Sequence, residues 1–231
     1  MNFKMQGVEN VRLRLEKACA TAGRDPATVK ILAVAKKHPA EKIREAYGAG
    51  LRDFGENGVQ EALDKQQQLS DLDICWHFIG GIQSNKTRDL ATHFHWVQSV
   101  DRVKVLNRLS AQRPADQSAL NICLQVNIDR EPQKSGVLPE GVAELAAQAA
   151  RAPRIRLRGL MAMPRVSDDP AQTRDSFRRV RELFEMLRGQ GFTLDTLSMG
   201  MSADLEAAVQ EGSTLVRIGT DLFGPRPGAA D

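Results

Sequence analysis

Lys36 is the residue whose type and position point most directly to chemistry. It follows the apolar segment Ala33-Val34-Ala35, so its side chain leaves a packed strand close to the end of that strand. Partial burial disfavours an ammonium ion and lowers the pKa of a lysine, which makes the amine a nucleophile toward an aldehyde. On position alone, a solvated lysine that ends a strand is the simpler interpretation. Lys37 is expected on the opposite side by strand alternation, and therefore in solvent.

Two segments near the end of the sequence are suited to binding an anion. One precedes a predicted helix whose N-cap is Ser202, and the other ends a predicted strand with Gly219 and Thr220. Small residues there leave backbone N–H groups free to face a phosphate. Each segment alone is a weak signal, but together they predict a phosphate site across from Lys36. The segments are Ser198-Met199-Gly200-Met201-Ser202 and Val216-Arg217-Ile218-Gly219-Thr220.

Helical and strand patterns alternate along the sequence, and these helices and strands must position the candidate residues. Val8, Val11, Leu15 and Ala18 recur at helical spacing, which predicts an opening helix. Short apolar runs predict eight strands, at residues 29–35, 51–54, 74–79, 95–98, 120–126, 155–161, 194–197 and 215–218. Helices are predicted between them, at residues 39–50, 59–69, 84–93, from an Asp101 N-cap onward, 141–150, 173–189 and 202–210.

This alternation predicts a fold of the α/β class. Strands separated by helices imply parallel pairing through right-handed crossovers. Eight such units in 231 residues match a (β/α)8 TIM barrel, which typically has about 250 residues. The alternative is an open doubly wound sheet, but no GxGxxG follows the first strand. We therefore predict a single TIM-barrel domain over residues 1–231, with an extra N-terminal helix and ligands bound across the barrel mouth.

The composition argues against several other classes of protein. Hydrophobic residues make up 42% and charged residues 26% of the chain, which is typical of a globular protein. A net charge of only +3, with scattered basic residues, argues against a nucleic-acid surface. Cys19, Cys75 and Cys123 form no CxxC pair, which favours a reducing compartment. No signal-peptide pattern and no run of about 20 apolar residues is found, so a cytoplasmic location is predicted.

Several motifs run in order through nearly the whole chain, and their combination is specific. In this combination the sequence resembles the pyridoxal phosphate homeostasis protein family, the single-domain relatives of the alanine racemase barrel. The motifs are Ala33-Val34-Ala35-Lys36, Phe54-Gly55-Glu56-Asn57 with Val59-Gln60-Glu61, Trp76-His77-Phe78-Ile79-Gly80 with Gln83-Ser84-Asn85-Lys86, Lys134-Ser135-Gly136, Arg158-Gly159-Leu160-Met161, and the two segments that end with Ser202 and Thr220.

The resemblance implies a function and a set of site residues. Pyridoxal 5′-phosphate (PLP) is expected on Lys36 as an internal aldimine, in an alanine racemase N-terminal-domain-like barrel. Family members generally show no turnover and are implicated in the supply of PLP, the vitamin B6 cofactor, inside the cell. The matching positions are Ser202, Gly219 and Thr220 for the phosphate, Asn57 beside the cofactor, and Arg217 facing the pyridine nitrogen.

The chemistry of Arg217 limits what such a site can catalyse. Arginine only donates hydrogen bonds and is permanently charged, so Arg217 would oppose protonation of the ring nitrogen. The ring is then a poor electron sink, which argues against transamination and decarboxylation. A PLP-dependent amino-acid racemase stays open as the alternative, because racemases of this fold use the same arrangement. They also need a second acid–base group on the opposite face of the substrate. The one tyrosine, Tyr47, falls within a predicted helix, which argues against it in that role.

Partners and departures from the family pattern complete these expectations. PLP-dependent apo-enzymes are the expected transient acceptors and a monomer is the expected state, while a module for an unknown partner is a third hypothesis. Where the family commonly has tyrosine, proline, serine and lysine, this sequence has Gly58, Gly81, Ala35 and His38. We expect Gly58 to widen the cavity, which bears on affinity.

Four further residues have two interpretations each. Lys134 is either a surface lysine or a second lysine that meets released cofactor. His77 is expected to be a hydrogen-bonded core residue rather than an acid–base catalyst. His93 and His95 are expected at the surface or in packing rather than on a metal, since no nearby ligand set accompanies them.

Overall fold

The structure is a computed structural model that describes residues 6–225. Eight parallel strands close into a barrel in sequence order, with the last strand paired to the first. The TIM barrel predicted from the sequence is therefore confirmed, and the open-sheet alternative is wrong. The strands are β1 (Lys30–Val34), β2 (Asp53–Glu56), β3 (Cys75–Phe78), β4 (Trp96–Val100), β5 (Leu120–Val126), β6 (Ile155–Ala162), β7 (Thr196–Ser198) and β8 (Leu215–Ile218).

Helices follow the strands, and one helix precedes them. Within the described residues none is long and apolar enough to cross a lipid bilayer. The helices are α1 (Gln6–Thr21), α2 (Ala40–Gly48), α3 (Val59–Gln68), α4 (Thr87–His93), α5 (Val103–Gln112), α6 (Val142–Arg151), α7 (Pro170–Gly189), α8 (Leu205–Gln210) and α9 (Thr220–Phe223).

The helix in front of the barrel is part of its packing. Val8, Val11, Leu15 and Ala18 are all buried, as their spacing predicts. Three of them, all but Val8, share an apolar cluster with residues of α8 and β8, including Leu205. Burying an aliphatic side chain stabilises a fold by about 1.5–3 kcal/mol. Helix α1 therefore closes the side of the barrel where the first and last strands meet.

Two local predictions are wrong, and a third holds for a different reason. Ser202 is not an N-cap, because Ser202 lies in a turn and α8 begins three residues later with Asp204 as its N-cap residue. Asp101 is not an N-cap either, since Arg102 occupies that position in α5. Lys37 is exposed as predicted, but strand alternation is not the reason, because β1 ends before Lys36.

The two faces of the barrel strands differ in chemistry. Side chains that face the helices form a continuous apolar layer, with Ala33, Phe54 and Ile122 among its fully buried members. The interior carries buried polar side chains as well, including His77 and Arg217. Because a buried polar group is costly unless it is hydrogen-bonded, the interior must contain an organised set of partners for them.

Candidate functional site

Lys36 lies in the turn that follows β1, and its side chain is half-buried. The backbone is held on both sides of it. The Ala35 carbonyl accepts a hydrogen bond from Lys65 Nζ at 2.9 Å, and the Lys37 N–H donates to Glu61 Oε1 at 2.6 Å. The His38 N–H also donates to the Ala35 carbonyl, at 3.0 Å. The position of Lys36 is therefore fixed by two side chains of α3.

The turn contains a backbone conformation that needs such support. Lys37 has a φ of 64°, in the left-handed region that few residues other than glycine adopt. A strained conformation persists where the surrounding structure over-determines it. The hydrogen bond to Glu61 is one such restraint, which links the shape of the turn to the side chains of α3.

Lys65 is the centre of a buried ion cluster behind this turn. Its side chain is 6% exposed, and Nζ donates to Glu56 Oε1 at 2.7 Å and to Glu61 Oε1 at 2.7 Å. Together with the bond to the Ala35 carbonyl, these contacts use all three ammonium protons. The cluster couples the end of β2, helix α3 and the Lys36 turn.

Glu56 gives the cluster an unusual charge. It is fully buried, and within the described residues its second oxygen, Oε2, has no hydrogen-bond partner. Burial raises the pKa of Glu56 to about 7, although the hydrogen bond and charge of Lys65 and the charge of Lys36 act in the opposite direction. A carboxyl group that titrates near neutral pH therefore lies within electrostatic reach of Lys36.

Two segments are predicted to bind an anion, and the one that ends with Thr220 lies beside the Lys36 turn rather than across from it. In the closed barrel β8 pairs with β1, and Ala33 is level with Ile218. The next residue, Gly219, is so close to β1 that a Cβ on it would be 3.3 Å from the Val34 carbonyl oxygen. For the segment that ends with Thr220, the predicted position across the barrel mouth is therefore wrong, because barrel closure brings the last strand next to the first.

The segment after β7 is shaped by a glycine and hydrogen-bonded to β8. Gly200 has a φ of +95°, and a Cβ on it would lie 2.5 Å from the Ala208 Cβ. Its carbonyl accepts the Arg217 N–H at 2.9 Å. Ser202 is half-buried in the following turn, and Thr220 is exposed at the start of α9. Both hydroxyl groups are therefore near the rim of the barrel.

One guanidinium joins these two segments from outside the barrel. Arg14, on α1, donates to the Ser202 carbonyl at 2.7 Å and to Asp221 Oδ2 at 2.9 Å. It also makes a paired contact with Glu206, with both distances at 2.6 Å. Helix α1 thus contacts the loop after β7 and the short helix α9 that follows β8.

Asn57 occupies the rim directly after β2, where its side chain is exposed. The chain comes very close to it from the next strand. A Cβ on Gly80 would lie 2.2 Å from the Asn57 carbonyl oxygen, so only glycine fits there. Gly58 and Gly81, by contrast, have room for a side chain, since the nearest atom to a Cβ on Gly58 is 3.8 Å away and none lies within 4 Å of one on Gly81.

Arg217 lies deeper, inside the barrel, and is 4% exposed. Nη1 donates to the Ser198 carbonyl at 2.7 Å and to Ser198 Oγ at 2.8 Å. Nη2 donates to the Ala162 carbonyl at 2.8 Å. Burial lowers the pKa of Arg217 to about 10, so the group stays charged at neutral pH. Arg217 is a fixed, cationic hydrogen-bond donor.

The other sequence candidates lie outside this site. Lys134 Nζ donates to the Pro164 carbonyl at 3.0 Å and pairs with Glu131 at 2.6 Å, so it links two loops. His93 is exposed, and His95 Nδ1 accepts the Trp76 N–H at 3.0 Å. A cavity of about 460 Å³ lies between the loops after β5 and β6 and the start of α7, without Lys36 in its lining.

The sequence analysis missed the role of Lys65 and of its two carboxylate partners. Glu56 and Glu61 are part of the quoted motifs, but no function was assigned to either. The available signal was the i, i+4 spacing of Glu61 and Lys65 on a predicted helix. That spacing is common on solvated helix faces, and only the packing of α3 against β2 makes it a buried cluster.

Comparison with known protein families and curated proteins gives consistent results. Residues 9–227 match the family described as "Alanine racemase, N-terminal domain". The chain is 56% identical over 226 residues to a "Pyridoxal phosphate homeostasis protein" of Pseudomonas aeruginosa, covering 98% of this chain and 97% of the relative. It is 44% identical over 229 residues to the protein of the same name from Escherichia coli, covering 98% of each.

Solved structures agree with the sequence relatives. PipY of Synechococcus elongatus with PLP bound is 39% identical, has a TM-score of 0.81, and is matched over 91% of this chain and 100% of its own. The alanine racemase of Corynebacterium glutamicum has a TM-score of 0.70 at 15% identity, over 96% of this chain and 63% of its own. At that identity the racemase supports the fold alone.

Proposed function

The chain belongs to the pyridoxal phosphate homeostasis proteins, within the family of the alanine racemase N-terminal domain, and from this membership we propose that it binds PLP at Lys36 and serves the intracellular supply of PLP. The resemblance noted from the motifs is confirmed. Relatives with the same name cover nearly the whole chain, and a related structure contains PLP.

One observation carries the proposal for this site. The pairing of β1 with β8 brings the Lys36 turn next to Gly219, while Arg217 of the same strand β8 presents a cation inside the barrel. PLP requires three groups from the protein. Its aldehyde needs an amine, its phosphate needs a set of small rim residues, and its ring nitrogen needs a buried hydrogen-bond donor. The residues present therefore fit the cofactor.

The proposed roles follow from the chemistry of each side chain. When bound, PLP supplies an aldehyde that captures amines and a ring that withdraws electrons. Lys36 holds the aldehyde end, and Ser202, Gly219 and Thr220 hold the phosphate with hydroxyl and backbone donors. Asn57 lines the rim. Within the described residues, the hydrogen bonds of Arg217 to the protein use Nη1 and Nη2 and none uses Nε, so a donor remains for the ring nitrogen.

We propose that the protein holds PLP without significant turnover. A permanent cation beside the ring nitrogen opposes its protonation and weakens the ring as an electron sink. Racemisation would also need an acid–base group on the second face of the substrate. Tyr47 does not supply it, because it lies on α2 with its ring 3.8 Å from the Arg52 guanidinium. A carrier is favoured over the alternative racemase.

The remaining expectations are part of the same proposal. We propose that residues 1–231 act as one binding domain, that the protein is a cytoplasmic monomer, and that PLP-dependent apo-enzymes accept the cofactor from it transiently. Lys37, in the turn at the carboxyl end of β1, is exposed and accessible to an incoming acceptor. The binding and release of PLP would then depend on how firmly the Lys36 turn is held.

Reduction and intact mass test the site directly. The purified chain is saturated with PLP and treated with borohydride, and its mass and modified peptide are determined. One reduced adduct on Lys36 is expected, with none in Lys36→Ala and an unchanged yield in the matched control Lys37→Ala. An adduct elsewhere, or none, contradicts the proposal. Incubation with separate alanine enantiomers tests the carrier role, because racemisation at enzymatic rates would favour the alternative.

A further inference from the structure

A chain of buried side chains crosses the barrel interior from Arg217 to the opposite end of the barrel. Arg217 Nη1 donates to Ser198 Oγ at 2.8 Å, and Ser198 Oγ donates to Gln98 Oε1 at 2.6 Å. Gln98 Nε2 is 2.9 Å from His77 Nδ1. His77 Nε2 is in turn 2.9 Å from Asp53 Oδ1. Five strands each contribute one side chain to this hydrogen-bonded series, which we call the polar relay.

The polar relay is enclosed by protein for most of its length. His77 and Gln98 are fully buried, and Ser198 is 1% exposed. Asp53, the first residue of β2, is the half-buried end near the amino-terminal side of the barrel. A buried polar group without a partner costs about 1–3 kcal/mol, so each member depends on the next one for its hydrogen bond.

The direction of every hydrogen bond follows from the two ends. Arg217 can only donate, so Ser198 Oγ accepts from it and turns its own proton toward Gln98. The Gln98 oxygen is then used as an acceptor, and its amide N–H₂ donates to His77 Nδ1. His77 must therefore carry its proton on Nε2, where it donates to the Asp53 carboxylate. Both ends demand the same direction, which leaves one consistent arrangement.

The charges agree with this arrangement. Burial lowers the pKa of His77, which keeps the ring neutral with a single proton. Burial alone would raise the pKa of Asp53, but the hydrogen bond from His77 helps to lower it below its ordinary value. A carboxylate thus ends the polar relay that begins at a guanidinium. The ring of His77 is stacked on Trp96 at 5.2 Å, which fixes its plane.

The neighbouring thiol does not change this interpretation. Asp53, Cys75 and His77 have ligand atoms within 4.8 Å of one another, a grouping that can suggest a metal site. In the polar relay, however, His77 Nε2 carries a proton toward Asp53. Burial also raises the pKa of Cys75 to about 12, which keeps its thiol neutral. The three groups are satisfied as hydrogen-bonding partners.

We propose that Asp53 and His77 are positioning residues for Arg217, an inference that rests on the proposed binding of PLP. The carboxylate fixes the tautomer of His77, the tautomer fixes the orientation of the Gln98 amide, and the amide fixes the Ser198 hydroxyl. If the carboxylate is lost, the amide can turn over and donate to Ser198 Oγ, in competition with Arg217. The guanidinium then keeps only its bonds to the Ser198 and Ala162 carbonyls, and its orientation toward the ring nitrogen is less restrained.

The first test needs no cofactor. The chain has four histidines, and ¹⁵N-histidine NMR of the apoprotein at pH 7 reports the protonation of each ring nitrogen, with His77→Gln used to assign the His77 signals. A neutral His77 protonated on Nε2 is expected. Protonation on Nδ1, or a doubly protonated ring, would overturn the proposal whatever the behaviour of PLP.

The second test compares matched variants of the PLP-loaded protein. Asp53→Leu nearly keeps the size of the side chain and removes the acceptor for the His77 Nε2 proton, and Asp73→Leu, at an exposed aspartate on the loop before β3, is the control. We expect the Kd of PLP to rise about tenfold in Asp53→Leu, equivalent to about 1.4 kcal/mol, together with a displaced absorption band of the bound cofactor. The control should keep the wild-type affinity and spectrum.

Two further measurements separate a positioning role from a loss of stability or of PLP binding. Gln98→Met breaks the polar relay at its middle with little change in volume, and it should reproduce the shifted band if Asp53→Leu does not fold. A variant that merely loses stability would keep the wild-type spectrum in its folded fraction, and that result would refute a positioning role. Absence of a reducible PLP adduct in the wild type would refute the proposed function, while the NMR result would still judge the polar relay.

Discussion

Glu56→Gln tests the buried charge behind the Lys36 turn. Burial raises the pKa of Glu56 to about 7 from an ordinary value of 4.5. The folded chain therefore holds a proton on Glu56 at pH values where the unfolded chain has released it. Because stability falls with rising pH wherever the folded state binds more protons, Glu56 should make the wild-type protein less stable as the pH rises from 4.5 to 7.

The size of this effect follows from the two pKa values. A glutamate that titrates at about 7 when folded and at 4.5 when unfolded contributes a loss of about 3 kcal/mol across that window. Glutamine does not ionise, and its side-chain oxygen can still accept the hydrogen bond from Lys65. The free energy of unfolding of Glu56→Gln, relative to the wild type, should therefore rise by about 3 kcal/mol between pH 4.5 and pH 7.5.

Urea unfolding of the apoprotein at several pH values between 4.5 and 8 measures this difference. Subtracting wild type from variant at each pH removes the contribution of titratable groups that are common to both. Glu16→Gln, on an exposed position of α1, is the control and should give a difference that does not change with pH. A flat difference for Glu56→Gln, or one that falls with rising pH, would refute the reasoning.

Three other substitutions have clear expected outcomes. Lys65→Met breaks a buried ion pair, at a cost of about 3–5 kcal/mol, and removes the hydrogen bond to the Ala35 carbonyl. Urea unfolding should show that loss of stability, and borohydride trapping should show less PLP on Lys36. Full trapping would mean that the Lys36 turn keeps its shape without Lys65. Gly200→Ala forces a side chain into a φ of +95° against Ala208 and should cost about 2 kcal/mol, with an unchanged Tm as the contrary result. Lys37→Gly should relieve about 1 kcal/mol of backbone strain, and a lower Tm would contradict this.

Much of the fold could be predicted because the strands carry local signals. The predicted bounds of β5 and β8 are those of the structure, residues 120–126 and 215–218. The second strand begins two residues later than predicted, at Asp53 instead of Leu51. Apolar residues mark burial, but the hydrogen-bond register that decides which of them form a strand is set by the neighbouring strands.

The candidate site was harder to predict because its geometry is tertiary. The sequence identified Lys36, but the neighbourhood of Gly219 depends on which strands close the barrel. Ser202 has the residue type of an N-cap, yet Asp204 takes that position and accepts the Met201 N–H at 2.6 Å. His77 was correctly expected to be a hydrogen-bonded core residue, whereas its connection to Arg217 requires side chains from strands 100 residues apart in sequence.

The contact of Arg14 with the segments after β7 and β8 has a practical consequence for anyone who redesigns this protein. A helix ahead of a barrel is a tempting place to trim, to attach a tag, or to insert a linker. Here, Arg14 of that helix is hydrogen-bonded both to the loop after β7 and to α9, the short helix after β8. Loss of the Arg14 hydrogen bonds would release both segments together. In a truncated or fused version that still folds, the first defect would therefore be at the rim of the barrel.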